Sequence, residues 1–236
     1  MWNRHELKEN AKTSLNANYW RSVAAGLVAS LAAGGAASAS RVNMDQSDIE
    51  EIAGNAASDM DPSVLVGIII GVISAVMLFS VFQTLLKIFL LNPLAVGCDK
   101  FFINSRENGG EELSHLKWSF ETDYKKIVLS MFLRDLFIGL WSLLFIIPGI
   151  IKSYEYRMVA YILADQPELT RKEAFELSRK MMNGNKWNAF VLDLSFIGWG
   201  FLAAITFGIL GVFYVNPYIQ HTDAALYLKL KEVNCF

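Results

Sequence analysis

Charged residues are scarce in this sequence of 236 residues, of which Asp, Glu, Lys and Arg make up 19%. Soluble domains contain about 25% of these residues and about 45–50% apolar ones. Hydrophobic residues make up 53% of this sequence, so its composition argues against a water-soluble domain. The net charge of −2 and the absence of a basic arm exclude nucleic acid as a partner.

Cysteine and histidine are also rare, which excludes the common metal and redox sites. The two cysteines, Cys98 and Cys235, lie far apart and neither has a CxxC partner. The sequence therefore contains neither a disulfide framework nor a Cys-based zinc motif. The three histidines, His5, His115 and His221, lack the spacing of metal ligands. We therefore expect no metal ion and no cofactor.

Catalytic motifs are missing as well. The sequence contains no HExxH, no GxSxG and no P-loop GxxxxGK[ST]. It also shows no Ser or Cys in a setting that would activate it as a nucleophile. We therefore expect that the protein is not an enzyme and has no catalytic residues.

Two long runs without charge are the main feature that the sequence does contain. Residues 194–220 and 62–86 include no Asp, Glu, Lys, Arg or His. A helix needs about 20 mainly apolar residues to cross the roughly 30 Å core of a bilayer, so each run is long enough to do so. The sequence therefore predicts an integral membrane protein. The longer run is expected to divide near Leu210, where one span ends and the next begins.

The hydropathy pattern gives six candidate spans. Two of them, 148–165 and 213–229, are short and contain polar residues, so an arrangement with four spans is the alternative. With six spans, most of the 21 Lys and Arg residues fall on the cytoplasmic side, as the positive-inside rule requires. With four spans, the basic segment 171–187 would face outward. We therefore predict six spans in the cell membrane, with both termini in the cytoplasm.

This topology defines a single integral-membrane domain over residues 1–236. The first span resembles a cleaved signal sequence, but Glu6 and Glu9 in the preceding segment are unlike a short basic leader, and we expect the span to be retained. An acidic outer loop is predicted over residues 41–61. The spans are 20–40, 63–91, 126–147, 148–165, 188–210 and 213–229, and the cytoplasmic segments are 1–19, 99–125, 166–187 and 230–236.

A proline motif occurs three times in the chain. In each copy a hydrophobic helix meets a shorter, more polar one, at NPLAVGCDKFF, IPGIIKSYEYR and NPYIQHTDAAL. Proline frees a backbone carbonyl and kinks a helix, and in lipid that carbonyl needs a partner within the protein. The copies are either ordinary turns that begin with proline or three helical hairpins whose kinks, at Pro93, Pro148 and Pro217, meet in one polar region. The sixth residues after these prolines are Asp99, Tyr154 and Asp223.

Charged residues within the predicted spans are the best candidates for a functional site. A charge near the bilayer centre costs about 2.5–3.5 kcal/mol, so it usually faces the interior and finds a partner. Arg134 and Asp135 are adjacent and point about 100° apart on a helix, so we expect each to pair with another residue. Glu155 is one candidate partner for Arg134, and Arg157 or Lys152 is a candidate partner for Asp135. The predicted intramembrane polar cluster comprises Arg134, Asp135, Glu155, Arg157, Asp193 and Asp223, with His221 beside it.

Short amphipathic helices are predicted in the cytoplasmic segments. Thr170 followed by Glu173 fits a capping box, and Gly184 fits a helix end. Such helices either lie on the inner leaflet or pack beneath the bundle. Stripes of small residues, such as those that include Gly26 and Gly67, allow another helix to approach closely. The expected partners are the lipid bilayer and a protein that binds these helices or stripes.

The second half of the chain contains distinctive motifs. They are IIPGI, YILAD, SRKMMNGNK, LSFIGW and a closing NPY before AALY. In these motifs the sequence resembles an uncharacterised family of bacterial integral-membrane proteins known as domain of unknown function 975. The resemblance implies a polytopic membrane protein of a bacterium. It implies no activity, substrate or catalytic residue.

The sequence thus predicts an all-α fold, a polytopic transmembrane helix bundle of about six spans in three hairpins. Two functions are compatible with it. The first is a non-enzymatic membrane scaffold or accessory protein, and the alternative is a small-solute or proton-coupled transporter that uses the buried Arg and carboxylate residues. Closed ion pairs in the interior would favour the scaffold, whereas a water-accessible pocket lined by the cluster would favour the transporter. The sequence leaves the oligomeric state open.

Overall fold

The computed structural model describes residues 2–32, 62–107 and 115–234, and within these ranges it contains helices and turns but no strand. The predicted all-α class is therefore confirmed. The chain divides into two compact units, one formed by Met1–Gly34 with Ile88–Phe236 and the other by Gly35–Lys87. The predicted outer loop 41–61 and the end of the first predicted span, residues 33–40, lie outside the described residues.

The α-helices are 7 to 25 residues long, which is about two to seven turns. Two π-helices, Lys87–Leu91 and Gly211–Val215, directly precede the fourth and the twelfth α-helix. The α-helices are α1 Arg4–Ala17, α2 Tyr19–Ala32, α3 Pro62–Leu86, α4 Asn92–Glu107, α5 His115–Glu121, α6 Tyr124–Leu144, α7 Ile146–Glu155, α8 Val159–Asp165, α9 Arg171–Met182, α10 Lys186–Leu194, α11 Ile197–Ile205 and α12 Asn216–Asn234.

Three helical stretches of the described chain are long and apolar enough to cross a membrane, namely Val66–Glu107, Tyr124–Leu144 and Lys186–Ile205. In the smaller unit, α3 is apolar around its whole circumference and nearly all of its described side chains are exposed. A helix that is hydrophobic on every side needs an apolar environment, which a bilayer supplies. The count of six spans and their pairing in hairpins stay predictions.

The core of the larger unit is built around α8 and α12. Helix α12 packs against α1, α2, α4 and α9, and α4 also packs against α8. All six residues from Val159 to Ala164 in α8 are buried, and so are Tyr218 and Tyr227 of α12. The two segments predicted as short spans, 148–165 and 213–229, therefore supply much of the core of this unit.

Residues 148–165 do not form one continuous helix. Helix α7 ends at Glu155, residues 156–158 form a turn, and α8 begins at Val159. A polar stretch from Lys152 to Arg157 leads up to and into this break. The turn is important because it contains Arg157, whose side chain thereby reaches residues of two other helices.

The charge-free run 194–220 divides earlier than expected. Helix α11 ends at Ile205, and Phe207 and Gly208 have φ values of 51° and 83°. Glycine adopts this left-handed conformation without steric cost. Phe207 adopts the same conformation in the turn, where its side chain is exposed. Helical structure resumes at residue 209 and continues through the second π-helix into α12, so the division lies at 206–208 rather than near Leu210.

Helix α9 has the predicted capping box. The Thr170 hydroxyl accepts a hydrogen bond from the Glu173 N–H, and the Glu173 carboxylate accepts one from the Thr170 N–H at 2.7 Å. These hydrogen bonds from the Thr170 backbone and hydroxyl lower the pKa of Glu173. Gly184, with a φ of 75°, follows soon after the helix ends. The predicted start and stop signals of this helix are therefore confirmed.

Helices α6 and α7 approach closely at Gly149. The turn between the two helices consists of Phe145, whose backbone is extended. A Cβ atom added at Gly149 would contact the Ser142 hydroxyl and would lie 2.7 Å from the Ser142 Cα. Because backbone atoms are on both sides of this contact, Gly149→Ala is expected to separate the two helices. We expect it to lower the free energy of unfolding by about 1–3 kcal/mol, as overpacking typically does.

Gly139→Ala is the matched control, because a Cβ at Gly139 on α6 would meet no atom within 4 Å. Alanine also has the higher helix propensity, so this variant should be at least as stable as the parent. Thermal unfolding in detergent, followed by circular dichroism, compares the two variants. Equal midpoints for them would contradict the close approach at Gly149.

Candidate functional site

Arg157 is the centre of a charged cluster in the larger unit. From the turn between α7 and α8, its two terminal nitrogens contact the two carboxylate oxygens of Asp193 on α10, at 2.7 and 2.9 Å. Its Nη2 also donates to Asp223 Oδ1 on α12, at 2.7 Å. The Arg157 and Asp223 side chains are each only 16% exposed. The fork of the guanidinium thus connects three elements that are distant in sequence.

Tyr154 and Asp99 extend this cluster. The Tyr154 hydroxyl donates to Asp193 Oδ2 at 2.7 Å, and its ring lies 5.6 Å from the Arg157 guanidinium carbon. Asp99 on α4 is buried and has Asp223 and Arg134 as charged neighbours. We call Asp99, Tyr154, Arg157, Asp193 and Asp223 the Arg157 cluster. It contains the sixth residue after each of the three prolines, so these equivalent positions meet in one polar region.

The three prolines themselves are not equivalent. Pro93 and Pro217 are each the second residue of an α-helix that directly follows a π-helix. Pro148 lies instead in the first turn of α7. In a first turn the backbone N–H has no partner within the helix, so proline loses nothing there by lacking it. Pro93 would otherwise bond to the Phe89 carbonyl four residues before it. That carbonyl accepts a hydrogen bond from the Tyr124 hydroxyl at 2.5 Å. The carbonyl that Pro93 frees is thus satisfied by a side chain, as the sequence argument requires.

Arg134 and Asp135 pair with each other, so the expectation that they would not was wrong. The Arg134 Nη2 and Nε lie 2.9 and 3.1 Å from Asp135 Oδ1. The long arginine side chain bends around the helix and bridges the 100° between the two positions. The Asn92 amide is 3.4 Å from the other Asp135 oxygen.

Glu155 has three cationic partners, and Arg134 is not one of them. Its carboxylate oxygens lie 2.9 Å from Lys152 Nζ, 2.8 Å from Lys186 Nζ and 3.3 Å from Arg179 Nε. Glu155 is buried, and its partners belong to α7, α9 and the start of α10. The carboxylate therefore holds segment 171–187 against α7. Lys152, proposed as a partner of Asp135, pairs with Glu155 instead.

His221 does not join the Arg157 cluster. Its Nε2 lies 2.8 Å from the Ser22 hydroxyl of α2, and its ring is packed edge-on against Phe102, with 4.9 Å between the ring centroids. Its Nδ1 makes no hydrogen bond with a described residue. Residues two apart on a helix point about 200° apart, so His221 and Asp223 face different neighbours.

Sequence reasoning missed a further ion pair at the end of α8. Asp165 Oδ2 accepts from the Tyr227 hydroxyl and from Lys231 Nζ, both at 2.6 Å. Tyr227 and Lys231 are four residues apart, which places them on one face of α12. That spacing was visible in the sequence, but the identity of the facing acid was not.

The small residues of α2 pack inside the larger unit. Ala25 and Ala29 are buried, and a Cβ at Gly26 would lie 3.1 to 3.3 Å from atoms of Pro217 on α12. This part of the predicted stripe is therefore occupied within the chain. In contrast, a Cβ at Gly67 or Gly200 would have no neighbour within 4 Å.

Two cavities stand out in the structure, and neither is lined by the Arg157 cluster. One lies between α6 and α9, and the other lies at the exposed turn formed by residues 142–148. The described residues include no group of three or more His, Cys, Asp or Glu residues that would hold a metal ion. The charged groups of the cluster are instead directed at one another.

Comparison with protein families confirms the resemblance that the sequence motifs indicate. Residues 143–234, which contain α8 to α12, Arg157, Asp193 and Asp223, match the model of the family described as protein of unknown function (DUF975). Neither a curated protein nor a solved structure matches the chain. The matched segment includes both partners of the Arg157–Asp193 and Arg157–Asp223 pairs.

Proposed function

We propose that this member of the DUF975 family is a multi-pass protein of the bacterial cell membrane that acts as a non-enzymatic scaffold or accessory protein. The observation that carries the proposal is the closed state of the Arg157 cluster. Both terminal nitrogens of Arg157 and both carboxylate oxygens of Asp193 are engaged within the protein. An arrangement of this kind holds helices together, and it satisfies both oxygens of Asp193 and one oxygen of Asp223 within the protein.

Exposed apolar side chains support the membrane location. In the larger unit they are concentrated on two stretches, residues 136–151 and residues 194–213. In water such surfaces would drive aggregation, whereas in a bilayer they contact lipid tails. With α3, they provide the apolar surface of three predicted spans. The positive-inside rule then places the basic segments and both termini in the cytoplasm.

The alternative is a transporter that uses the buried charges. A transport site needs groups that are accessible from a water-filled cavity and can exchange partners. Asp99 is the one carboxylate of the Arg157 cluster that the Arg157 guanidinium does not bind directly, and it is the group that would carry a proton in this alternative. Its burial and the position of the two cavities away from it favour the scaffold.

The cytoplasmic helices supply the surface that we expect a partner protein to bind. Helix α1 buries Leu7, Ala11 and Leu15 against the protein and exposes its opposite, charged face. Since the stripe of α2 is used within the chain, α1 and α5 are the better candidates for this contact. We expect a photo-crosslinking amino acid at Lys12 or Lys117 to yield one discrete protein adduct in native membranes.

Phe207 is the control position for this experiment, because it is 98% exposed at the tip of the turn between α11 and α12 and faces lipid or the outer side in the proposed topology. A crosslinker there should not yield the same adduct.

The transporter alternative is tested on purified protein in liposomes with a trapped pH dye. Proton flux that Asp99→Asn abolishes, together with the absence of a discrete adduct, would overturn the scaffold proposal.

A further inference from the structure

A cavity of about 540 Å³ lies between α6 and α9, away from the Arg157 cluster. One wall is apolar and consists of Leu133 and Phe137 on α6 with Phe175 on α9. The rim lies on α9 and carries three basic residues, Arg171, Lys172 and Arg179, together with one acidic residue, Glu176. A site with these two halves fits a ligand that has an anionic group attached to a long apolar part.

The position of the cavity along α6 supports this interpretation. Before Leu133, the residues Ile127, Val128 and Met131 are buried, whereas from residue 136 onward most large side chains of α6 are exposed and apolar. The cavity therefore lies where the exposed apolar surface begins. In the proposed topology this border faces the inner leaflet, at the depth of the lipid headgroups.

The rim has an excess of positive charge, because three cations line the cavity together with one carboxylate. Lys172 lies 3.9 Å from Glu176, which is a weak exposed pair, and Arg179 contacts Glu155 at 3.3 Å. Arg171 makes no ion pair with a described residue. Its guanidinium offers two parallel N–H groups, the geometry that binds phosphate oxygens in a bidentate manner.

The start of α9 does not itself bind the anion. The Glu173 carboxylate already accepts hydrogen bonds from the backbone N–H and the hydroxyl of Thr170. Recognition of an anion at this cavity thus depends on the basic side chains rather than on the helix terminus.

We propose that this cavity binds an anionic phospholipid of the inner leaflet. Arg171 and Lys172 contact its phosphate, and one acyl chain lies along Leu133 and Phe137. Basic pockets between membrane helices on the cytoplasmic side bind such headgroups. The site depends on insertion in the membrane and not on the scaffold role, so a failure of one proposal leaves the other standing.

Native mass spectrometry of the purified full chain in detergent tests the site. Phosphatidylglycerol should bind in preference to phosphatidylcholine, which has the same phosphate but no net charge. Arg171→Gln with Lys172→Gln should lower the affinity for phosphatidylglycerol roughly fivefold for each charge removed. Arg171→Lys, which keeps the charge, should lose less, and Lys117→Gln on α5, an exposed lysine outside the cavity, should bind as the parent does.

Glycerol 3-phosphate and inorganic phosphate distinguish a lipid from a soluble anion. We expect neither to displace phosphatidylglycerol at equal concentration, because neither fills the apolar wall. Displacement by either would show a site for a free phosphate group and would overturn the lipid assignment. Equal binding of phosphatidylcholine, or unchanged binding by the doubly substituted protein, would overturn it as well. Both glutamine substitutions are at exposed positions, so the variant is expected to fold.

Discussion

Replacement of Arg157 by alanine is expected to lower the free energy of unfolding by about 3–5 kcal/mol, the largest effect of any single substitution considered for this protein. The reason is that Asp193 and Asp223 would be left as neighbouring negative charges without their cation. Asp223 is largely buried, so water would not compensate for the loss. The measurement is the yield of monodisperse protein after extraction, together with its unfolding midpoint in detergent.

Two further variants separate the effect of charge from that of geometry. Arg157→Lys keeps the positive charge but cannot bind Asp193 with two nitrogens, so we expect it to recover part of the loss. Arg157→Met combined with Asp193→Asn and Asp223→Asn removes all three charges and should be more stable than Arg157→Ala, because no uncompensated charge is left in the interior. If Arg157→Ala folds with the stability of the parent, the cluster does not hold the helices together, and the transporter alternative gains support.

Replacement of Glu155 by glutamine is expected to produce the second largest effect, a loss of about 2–3 kcal/mol. Three cations, Lys152, Arg179 and Lys186, converge on this one buried carboxylate. Glutamine preserves the shape but removes the charge, so the three cations would repel one another. Partial exposure of their side chains to solvent keeps the expected loss below that for Arg157→Ala.

The Glu155 variant should also loosen one region selectively. Because Arg179 and Lys186 connect segment 171–187 to α7 through Glu155, this segment should become more sensitive to protease while the rest of the larger unit stays protected. Glu176→Gln on the exposed face of α9 is the matched control, since its pair with Lys172 is 3.9 Å long and exposed. Limited trypsin digestion with mass spectrometry of the fragments reads out the difference. Equal cleavage of both variants would contradict the role assigned to Glu155.

Local features of this fold are readable from the sequence, because they depend on neighbours within one helix. The runs 62–86 and 194–220 indicate long apolar helices, and Thr170 with Glu173 indicates the start of α9. The proline motif also places Asp99, Tyr154 and Asp223 at equivalent positions. What the motif does not reveal is that Arg157 binds Asp223 and Asp193, whereas Arg134 is the cationic neighbour of Asp99.

The ion-pair partners of the charged residues are much harder to predict from the sequence. Glu155 pairs with Lys186, 31 residues away, and Asp165 with Lys231, 66 residues away. Such pairs depend on which helix faces which, and apolar periodicity alone does not specify that. Arg134 was assigned a distant partner from helical geometry, yet the flexibility of its side chain lets it reach Asp135 next to it. The break at 156–158 adjoins the polar stretch 152–157, and composition alone does not distinguish a turn there from a polar turn of a continuous helix.

The π-helix before Asn216 changes the phase of the helical stretch in which it lies. A π-turn contains one residue more than an α-turn, so every side chain after it is rotated by about 100° relative to an uninterrupted α-helix. The apolar residues before Asn216 can therefore face outward on one side while Asp223 points inward on another. The π-helix before Asn216 thus gives the residues on its two sides separate orientations, without the exposed backbone that a loop would bring.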